Sequence, residues 1–186
     1  MSIAENRAQP AFAVWITGLP SSGKSMLTSA LIRTLSRRGV QAAVLESDAL
    51  RRILTPRPCY SEEEREAFYG AMASIGRLLT EQGVPVIFDA TANRRAYRDQ
   101  ARGEILRFLE VYVDTPLAVC IARDPKGIYR KAQEGTAATV PGLQAMYEPP
   151  LSPEIVIKGD RESPEIGADR IVTKLIERGF LPARAA

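Results

Sequence analysis

The chain has 186 residues, with 25 basic and 22 acidic side chains and a formal net charge of +3. This length fits one globular domain with a single hydrophobic core, spanning residues 1–186. The sequence contains no histidine, which excludes Ser-His-Asp and Cys-His nucleophilic sites, histidine-ligated zinc and any imidazole base. Any chemistry must therefore use carboxylates, lysine, arginine, hydroxyl groups or a bound cation.

The cysteine content, the N-terminal sequence and the net charge indicate the cellular location and the class of ligand. Cys59 and Cys120 are too few for a disulfide framework, and they do not form a Cys-x-x-Cys pair. The first ten residues lack the pattern of a secretory signal, and no apolar run is long enough to span a membrane. We therefore expect a cytoplasmic protein that contacts no membrane. The small surplus of positive charge, without a lysine-rich run, favours small anionic ligands over polymeric nucleic acid.

Short apolar segments alternate with segments of helical periodicity along the chain. The predicted strands are residues 13–17, 41–45, 84–88, 108–113 and 154–157. The predicted helices are residues 24–38, 61–82, 93–107, 116–122 and 163–178. Because parallel strands need crossover connections, this alternation predicts an α/β protein, a three-layer α/β/α sandwich around a parallel sheet.

Residues 124–153 interrupt this alternation. The segment contains eight prolines and glycines and no predicted element of its own. A structureless loop of this length is commonly a lid over a functional site. The cationic side chains of Lys126, Arg130 and Lys131 favour a mobile lid, and the alternative is a surface loop without a role.

Residues 18–25 have the sequence GLPSSGKS, a complete match to G-x-x-x-x-G-K-[ST] between a predicted strand and a predicted helix. Such a loop turns its backbone N–H groups towards phosphates, and the helix N-terminus adds positive potential. Lys24 is predicted to reach the β- and γ-phosphates of ATP, and the Ser25 hydroxyl to bind Mg²⁺. The other predicted ATP-binding residues of the loop are Gly18, Ser21, Ser22 and Gly23.

Two aspartates and three arginines complete the predicted site. Asp48 and Asp89 follow strands at the edge of the sheet where ligands bind. Either carboxylate could accept a proton from an attacking alcohol, and Asp48 could also hold Mg²⁺; the alternative for each is a helix cap or a solvated strand end. Arg51, Arg65 and Arg95 are candidates for binding an anionic acceptor.

A second group of arginines, Arg94, Arg98 and Arg102, recurs every four residues in the predicted helix 93–107. This spacing places them on one helix face. The pattern is more typical of a solvent-exposed stripe than of a binding site.

A phosphate loop alone does not distinguish a kinase from a GTPase or a motor ATPase. The chain has no D-x-x-G after the third predicted strand and no N-K-x-D motif, and it is shorter than most motor ATPases. A short chain with a lid indicates a small-molecule kinase.

Several further motifs together resemble the adenylylsulfate kinases, which are P-loop enzymes. The resemblance extends from about Trp15 to Phe180. Its motifs are WITGLPSSGKS, LESDALR, YSEEER, RDQAR, FLEVYVDTPLAVCIARDPKGIYRKAQEG and YEPPLSPE. It implies a P-loop kinase fold with a lid, small nucleotide substrates, a possible homodimer, and transfer of a phosphoryl group from ATP, with Mg²⁺, to the 3′-hydroxyl of adenosine 5′-phosphosulfate.

The resemblance also implies roles for individual residues. Asp48 corresponds to the aspartate associated with catalysis at the acceptor hydroxyl, and Arg51 and Arg65 correspond to acceptor-binding arginines. Tyr60 corresponds to the aromatic residue that precedes the serine of a Phe-Ser pair. Arg123 and Lys126 match the lid motif near the base of ATP.

The sequence departs from the family pattern on the acceptor side. Phe68 replaces an asparagine that contacts the acceptor, and Ala138 and Val140 replace the lysine and the stacking phenylalanine of the lid. The I-S-P-Y-R motif becomes residues 91–95, TANRR, which keeps only Arg95. Two alternatives to an adenylylsulfate kinase therefore stay open. One is a kinase for another nucleotide-linked or sugar-like alcohol, and the other is a weakly catalytic nucleotide-binding regulator.

Overall fold

Five parallel strands form the centre of the computed structural model, which describes residues 10–137 and 139–183. The strands are β1 (Ala13–Thr17), β2 (Ala43–Glu46), β3 (Val86–Asp89), β4 (Phe108–Asp114) and β5 (Ile155–Lys158). Their order in the sheet is β2-β3-β1-β4-β5, and every pairing is parallel. The predicted α/β class is confirmed.

Seven helices connect and cover these strands in the described part of the chain. They are α1 (Lys24–Ser36), α2 (Ser47–Leu54), α3 (Glu62–Glu81), α4 (Arg95–Glu104), α5 (Leu117–Arg123), α6 (Ile128–Gln133) and α7 (Pro164–Glu177). Helices α2 and α6 were not predicted. Both are short and lack the repeated apolar spacing that marks the longer helices.

Each face of the sheet packs against its own hydrophobic core. On one face, Val14 and Ile16 of β1 pack with residues of α1 and α7, among them Leu31 and Ile171. On the other face, Trp15 packs in the core formed with α3 and α4 and stacks on Phe88 at 4.5 Å. Because β1 lies at the centre and alternates between the two faces, both helical layers fix the position of the loop that follows it.

The interpretation of the arginine stripe as a solvent-exposed face was wrong for its central member. Arg98 is 1% exposed, and its guanidinium pairs with Glu110 of β4 at 2.6 Å. Arg102 forms a two-point ion pair with Glu154, whereas Arg94 is more exposed and pairs with Glu62. Spacing along a helix cannot show that acidic partners lie on the neighbouring strand, so the burial of Arg98 could not be predicted from the sequence.

The segment 124–153 is not structureless. It contains α6, and Tyr129, Ala132 and Val140 form a small apolar cluster with the buried Cys120. Partly buried side chains, among them Leu19 of the phosphate loop, pack against this cluster. The predicted lid is thus attached to the loop that it was expected to cover. Ala138, one of the positions that depart from the family pattern, lies outside the described residues.

Among the helices of the described residues, none combines the length and the apolar character that crossing a bilayer requires.

Candidate active site

Residues 18–25 wrap between the end of β1 and the start of α1. Gly18 and Gly23 have φ angles of 155° and 110°. A Cβ atom on Gly18 would lie 2.6 Å from the carbonyl oxygen of Val113, so a side chain cannot be placed there without moving β4. At Gly23 the backbone conformation itself favours glycine. The two glycines of the motif are therefore required for different physical reasons.

Lys24 begins α1 and folds back over the loop. Its Nζ donates hydrogen bonds to the carbonyl oxygens of Gly18 at 3.1 Å and Leu19 at 2.8 Å. Burial lowers the pKa of Lys24, and the negative charge of Asp89 opposes part of this shift. An ammonium group in this position is poorly solvated, so an anionic phosphate placed next to it would stabilise its charge.

Side chains from other elements hold the phosphate loop in place. The Thr115 hydroxyl donates to the carbonyl oxygen of Ser22 at 2.8 Å, and the Tyr129 hydroxyl donates to that of Pro20 at 3.0 Å. Sequence analysis missed both residues, because neither belongs to the loop motif. The Ser22 hydroxyl is buried and has no hydrogen-bond partner among the described residues.

A cavity of about 760 Å³ opens beside the phosphate loop. Its wall includes the loop residues from Pro20 onwards and the carboxylates at the ends of β2 and β3, Asp48 and Asp89. Arg123 at the end of α5 and Lys126 of the lid also line it, and the residues after β5 close the far end. The structure therefore brings both candidate bases and the predicted ATP-binding residues to one cavity, with the exception of Gly18, which does not line it.

The two aspartates differ in environment. Asp89 is only 5% exposed and ends β3, which lies between β2 and β1, so that its backbone is in register with Ile16 and Glu46. Asp48 lies in the first turn of α2, and its exposed carboxylate accepts a hydrogen bond from Lys126 Nζ at 2.7 Å. The hydrogen bond with Asp48 raises the pKa of Lys126, because it favours the charged form of the lysine.

Arg123, at the end of α5, lies at the other side of the cavity. Its guanidinium donates to the carbonyl oxygen of Gly159 at 2.9 Å. Residues 159–164, which sequence analysis did not single out, line the cavity beside it. They follow β5 and form the turn before α7. The amino-acid composition of this turn does not indicate that it belongs to a binding site.

Oxygen ligands for a divalent cation are available in this cavity. Ser25, Asp48 and Asp89 line it, and Glu46 lies beside them. Hydroxyl and carboxylate oxygens suit Mg²⁺, which takes one or two protein ligands together with phosphates and water. The described residues contain no cluster of three acidic, cysteine or histidine side chains that would hold a metal by itself.

The predicted acceptor arginine Arg51 is buried in an aromatic setting. Its guanidinium pairs with Glu64 at 3.0 Å, and its Cζ lies 3.9 Å from the ring centroid of Phe68. The rings of Tyr60 and Tyr69 are 5.0 Å and 5.7 Å away. Phe68, which replaces the family asparagine, therefore supports Arg51 from a buried position.

Arg65 is also buried, and it makes four hydrogen bonds within the protein. Nε donates to the carbonyl oxygen of Tyr60 and Nη1 to Asn93 Oδ1 at 3.2 Å. Nη2 donates to the carbonyl and hydroxyl oxygens of Thr139, in the lid segment, at 2.9 Å and 3.0 Å. Arg65 thus connects α3, the loop after β3 and the lid.

The structure brings Arg51, Tyr60 and Arg65 together, since the Tyr60 ring lies within 5.5 Å of both guanidinium groups. Arg95 has different neighbours. Its Nη1 donates to the carbonyl oxygen of Pro149 at 3.3 Å, and it lines a separate cavity of about 150 Å³. None of these four residues lines the larger cavity, so phosphate binding and acceptor binding are predicted at two adjoining places.

Comparison with known proteins agrees with this geometry. Residues 10–158 match the family model described as adenylylsulphate kinase. An adenylyl-sulfate kinase of Rippkaea orientalis is 39% identical over 173 residues, covering 93% of this chain and 96% of the relative. A probable adenylyl-sulfate kinase of Pyrococcus abyssi is 37% identical over 171 residues, covering 92% of this chain and 98% of the relative.

A solved structure is similar over the same extent. The APS kinase of Mycobacterium tuberculosis, in complex with AMPPNP and APS, superposes with a TM-score of 0.85 at 31% identity, covering 91% of this chain and 99% of that one. The sheet, the phosphate loop and the match over most of the sequence agree, and the chain belongs to the adenylylsulphate kinase family.

Proposed function

We propose that this protein is an adenylylsulfate kinase, which transfers the γ-phosphoryl group of ATP to the 3′-hydroxyl of adenosine 5′-phosphosulfate. The products are ADP and 3′-phosphoadenosine 5′-phosphosulfate. The observation that carries the proposal is that the buried Lys24 ammonium and the carboxylates of Asp48 and Asp89 belong to one cavity, in a chain of this family.

The phosphate loop binds the β- and γ-phosphates in this proposal. Its N–H groups and Lys24 neutralise charge on the oxygens, and the unpartnered Ser22 hydroxyl is a further donor inside the loop. Ser25, together with Asp48 or Asp89, would hold Mg²⁺, which supplies positive charge to the phosphate oxygens. Arg123 and the residues after β5 bind the base at the far end of the cavity.

Asp48 is the better placed of the two candidate bases. Its carboxylate is exposed at the mouth of the cavity and lies in α2, the same helix as Arg51. It can therefore accept the proton from an alcohol held on the acceptor side. Asp89 is buried and stabilises the charge of Lys24. Lys126 would leave Asp48 and turn towards phosphate when the substrates bind.

A coupled assay of ADP release tests the proposal. Purified protein with ATP and Mg²⁺ should release ADP with adenosine 5′-phosphosulfate and much more slowly without it. A panel of other nucleotide-linked and sugar-like alcohols should give lower kcat/KM. A different preferred alcohol would replace the proposed acceptor, and ATP binding without turnover on any acceptor would indicate a nucleotide-binding regulator.

Matched variants test the assignment of the base. Asp48→Asn should lower kcat by about 10²–10⁴-fold and change ATP affinity little, because a general base acts in the chemical step. Asp89→Asn should weaken nucleotide binding as well, because it removes charge near Lys24. If Asp89→Asn alone lost kcat with ATP binding intact, the two roles would have to be exchanged.

A homodimer and a cytoplasmic location are further proposals, which rest on the family resemblance and on the sequence. Light scattering of the purified protein tests the dimer.

A further inference from the structure

Asn93 lies in the loop between β3 and α4, and sequence analysis assigned it no role of its own. It is 6% exposed. Its side-chain Oδ1 accepts a hydrogen bond from Arg65 Nη1 at 3.2 Å, and its Nδ2 donates to the carbonyl oxygen of Met146 at 3.0 Å. Its main-chain oxygen accepts a third hydrogen bond, from the backbone N–H of Glu148, at 2.8 Å. One buried residue therefore contacts an acceptor arginine and the second half of the lid.

Further contacts fasten this part of the lid to the same loop. The carboxylate of Glu148 accepts from the backbone N–H of Arg95 at 2.8 Å, and the Glu148 carbonyl oxygen accepts from buried Arg98 at 2.7 Å. The Tyr147 hydroxyl lies 3.2 Å from that of Thr17, at the end of β1. Residues 146–148 are thus held at the carboxyl end of the sheet at three consecutive positions, and Asn93 joins this part of the lid to Arg65, which also bonds directly to Thr139.

The chemistry of the amide decides what this position requires. Its oxygen meets a guanidinium donor and its nitrogen meets a carbonyl acceptor, so both ends of the amide are used. An aspartate would keep the contact with Arg65 but would place a carboxylate oxygen against the Met146 carbonyl. A leucine of similar size would lose both contacts and leave the buried Arg65 Nη1 and the Met146 carbonyl oxygen without this partner.

We infer that Asn93 is a positioning residue, which couples the closed arrangement of the lid segment 139–149 to the orientation of Arg65. This inference rests on the proposed function, because it assigns Arg65 to the acceptor side. Asn93 does not line the 760 Å³ cavity. Loss of its amide should therefore weaken binding of the acceptor and loosen the lid segment, while ATP binding stays intact.

Steady-state kinetics of Asn93→Asp and Asn93→Leu test the inference, with Gln100→Leu as the control. Gln100 is an exposed amide on α4, and its side chain donates a hydrogen bond to Glu104 of the same helix. Each Asn93 variant should raise the KM for adenosine 5′-phosphosulfate about tenfold or more, since leucine loses the hydrogen bond to the charged Arg65 and aspartate places an oxygen against the Met146 carbonyl oxygen. The KM for ATP should change less than twofold, and the control should match the wild type in both.

A merely structural role would lower the melting temperature without separating the two KM values. That pattern, or an equal rise of both KM values, would overturn the inference. If Asn93→Leu does not fold, Asn93→Asp still decides the question, because it keeps the size of the side chain and the acceptor for Arg65.

Hydrogen–deuterium exchange separates this inference from the proposed function. With AMPPNP bound, residues 139–149 should exchange at least severalfold faster in Asn93→Asp than in the wild type, whichever alcohol is the acceptor. If the wild type does not phosphorylate adenosine 5′-phosphosulfate, the proposed function fails, and the exchange result still tests Asn93. Unchanged exchange over these residues in a folded variant would contradict the coupling.

Discussion

The proposed phosphate side and the proposed acceptor side of this site are built in different ways. On the phosphate side, the main-chain N–H groups of residues 18–25 are proposed to form the binding surface, and Lys24 is anchored within the same loop. On the acceptor side, the cations Arg51 and Arg65 already have partners, a carboxylate for one and four hydrogen bonds for the other. The geometry of a site built from backbone groups is set by a short local sequence motif. The geometry of a site built from side chains also depends on the residues that distant segments of the chain place next to those side chains.

Removal of the Lys24 ammonium should have the largest effect. Lys24→Ala should lower kcat at least 10²–10³-fold and weaken ATP binding, because no other cation of the loop can stabilise the transferred charge. Burial of the charged ammonium disfavours the folded state, and this cost opposes the stability gained from the two hydrogen bonds of Lys24. Removal of the side chain should therefore change the melting temperature without nucleotide little. Isothermal titration with AMPPNP and the ADP assay measure both effects.

Lys131→Ala, an exposed lysine of α6, is the matched control and should behave as the wild type. Retention of ATP binding and turnover in Lys24→Ala would show that the phosphate side does not depend on this anchored charge.

A smaller effect is expected at Thr115, which supports the phosphate loop from the end of β4. Thr115→Val keeps the shape of the side chain but leaves the carbonyl oxygen of Ser22 without its donor. An unsatisfied buried acceptor costs about 1–3 kcal/mol, and part of this cost should appear as roughly tenfold weaker ATP binding. The KM for the acceptor should stay within about twofold. An equal loss of affinity for ATP and for the acceptor would show that the phosphate side and the acceptor side do not bind independently.

Most of the fold and the phosphate side could be predicted from the sequence. The alternation of elements gave the strands, and GLPSSGKS identified the loop together with Lys24 and Ser25. The supports of that loop, Thr115 and Tyr129, could not be predicted, because they come from β4–α5 and from the lid. A hydrogen bond across 93 or 109 residues leaves no local pattern.

The acceptor side was less predictable for the same reason. The family pattern singled out Arg51 and Arg65 but could not show that Glu64 neutralises the first or that Asn93 orients the second. The spacing of Arg98 indicated a solvated face, yet it is buried because Glu110 lies opposite it on β4. Each missed contact joins two segments whose proximity is decided by the sheet.

The smallest effect concerns Glu64, the counterion of Arg51, and it depends on pH. Burial by itself would raise the pKa of Glu64, but hydrogen bonds from the Cys59 and Tyr60 backbone and the charge of Arg51 hold it below its usual value of 4.5. The ionised form is therefore favoured in the folded state. Its contribution to stability is complete above about pH 4.5 and is lost as the pH falls through the lowered pKa.

Glu64→Gln removes that contribution and keeps an acceptor for the Cys59 N–H. At pH 7 the free energy of unfolding should fall by about 1 kcal/mol, the order of one hydrogen bond to a charged group. As the pH falls through the lowered pKa of Glu64, the difference from the wild type should shrink, because the wild-type carboxylate then loses its charge as well. Urea unfolding at pH 7 and at a series of lower pH values measures this, with Glu81→Gln on the exposed end of α3 as the control. A difference that does not shrink on acidification would mean that Glu64 stabilises Arg51 by packing and not by charge.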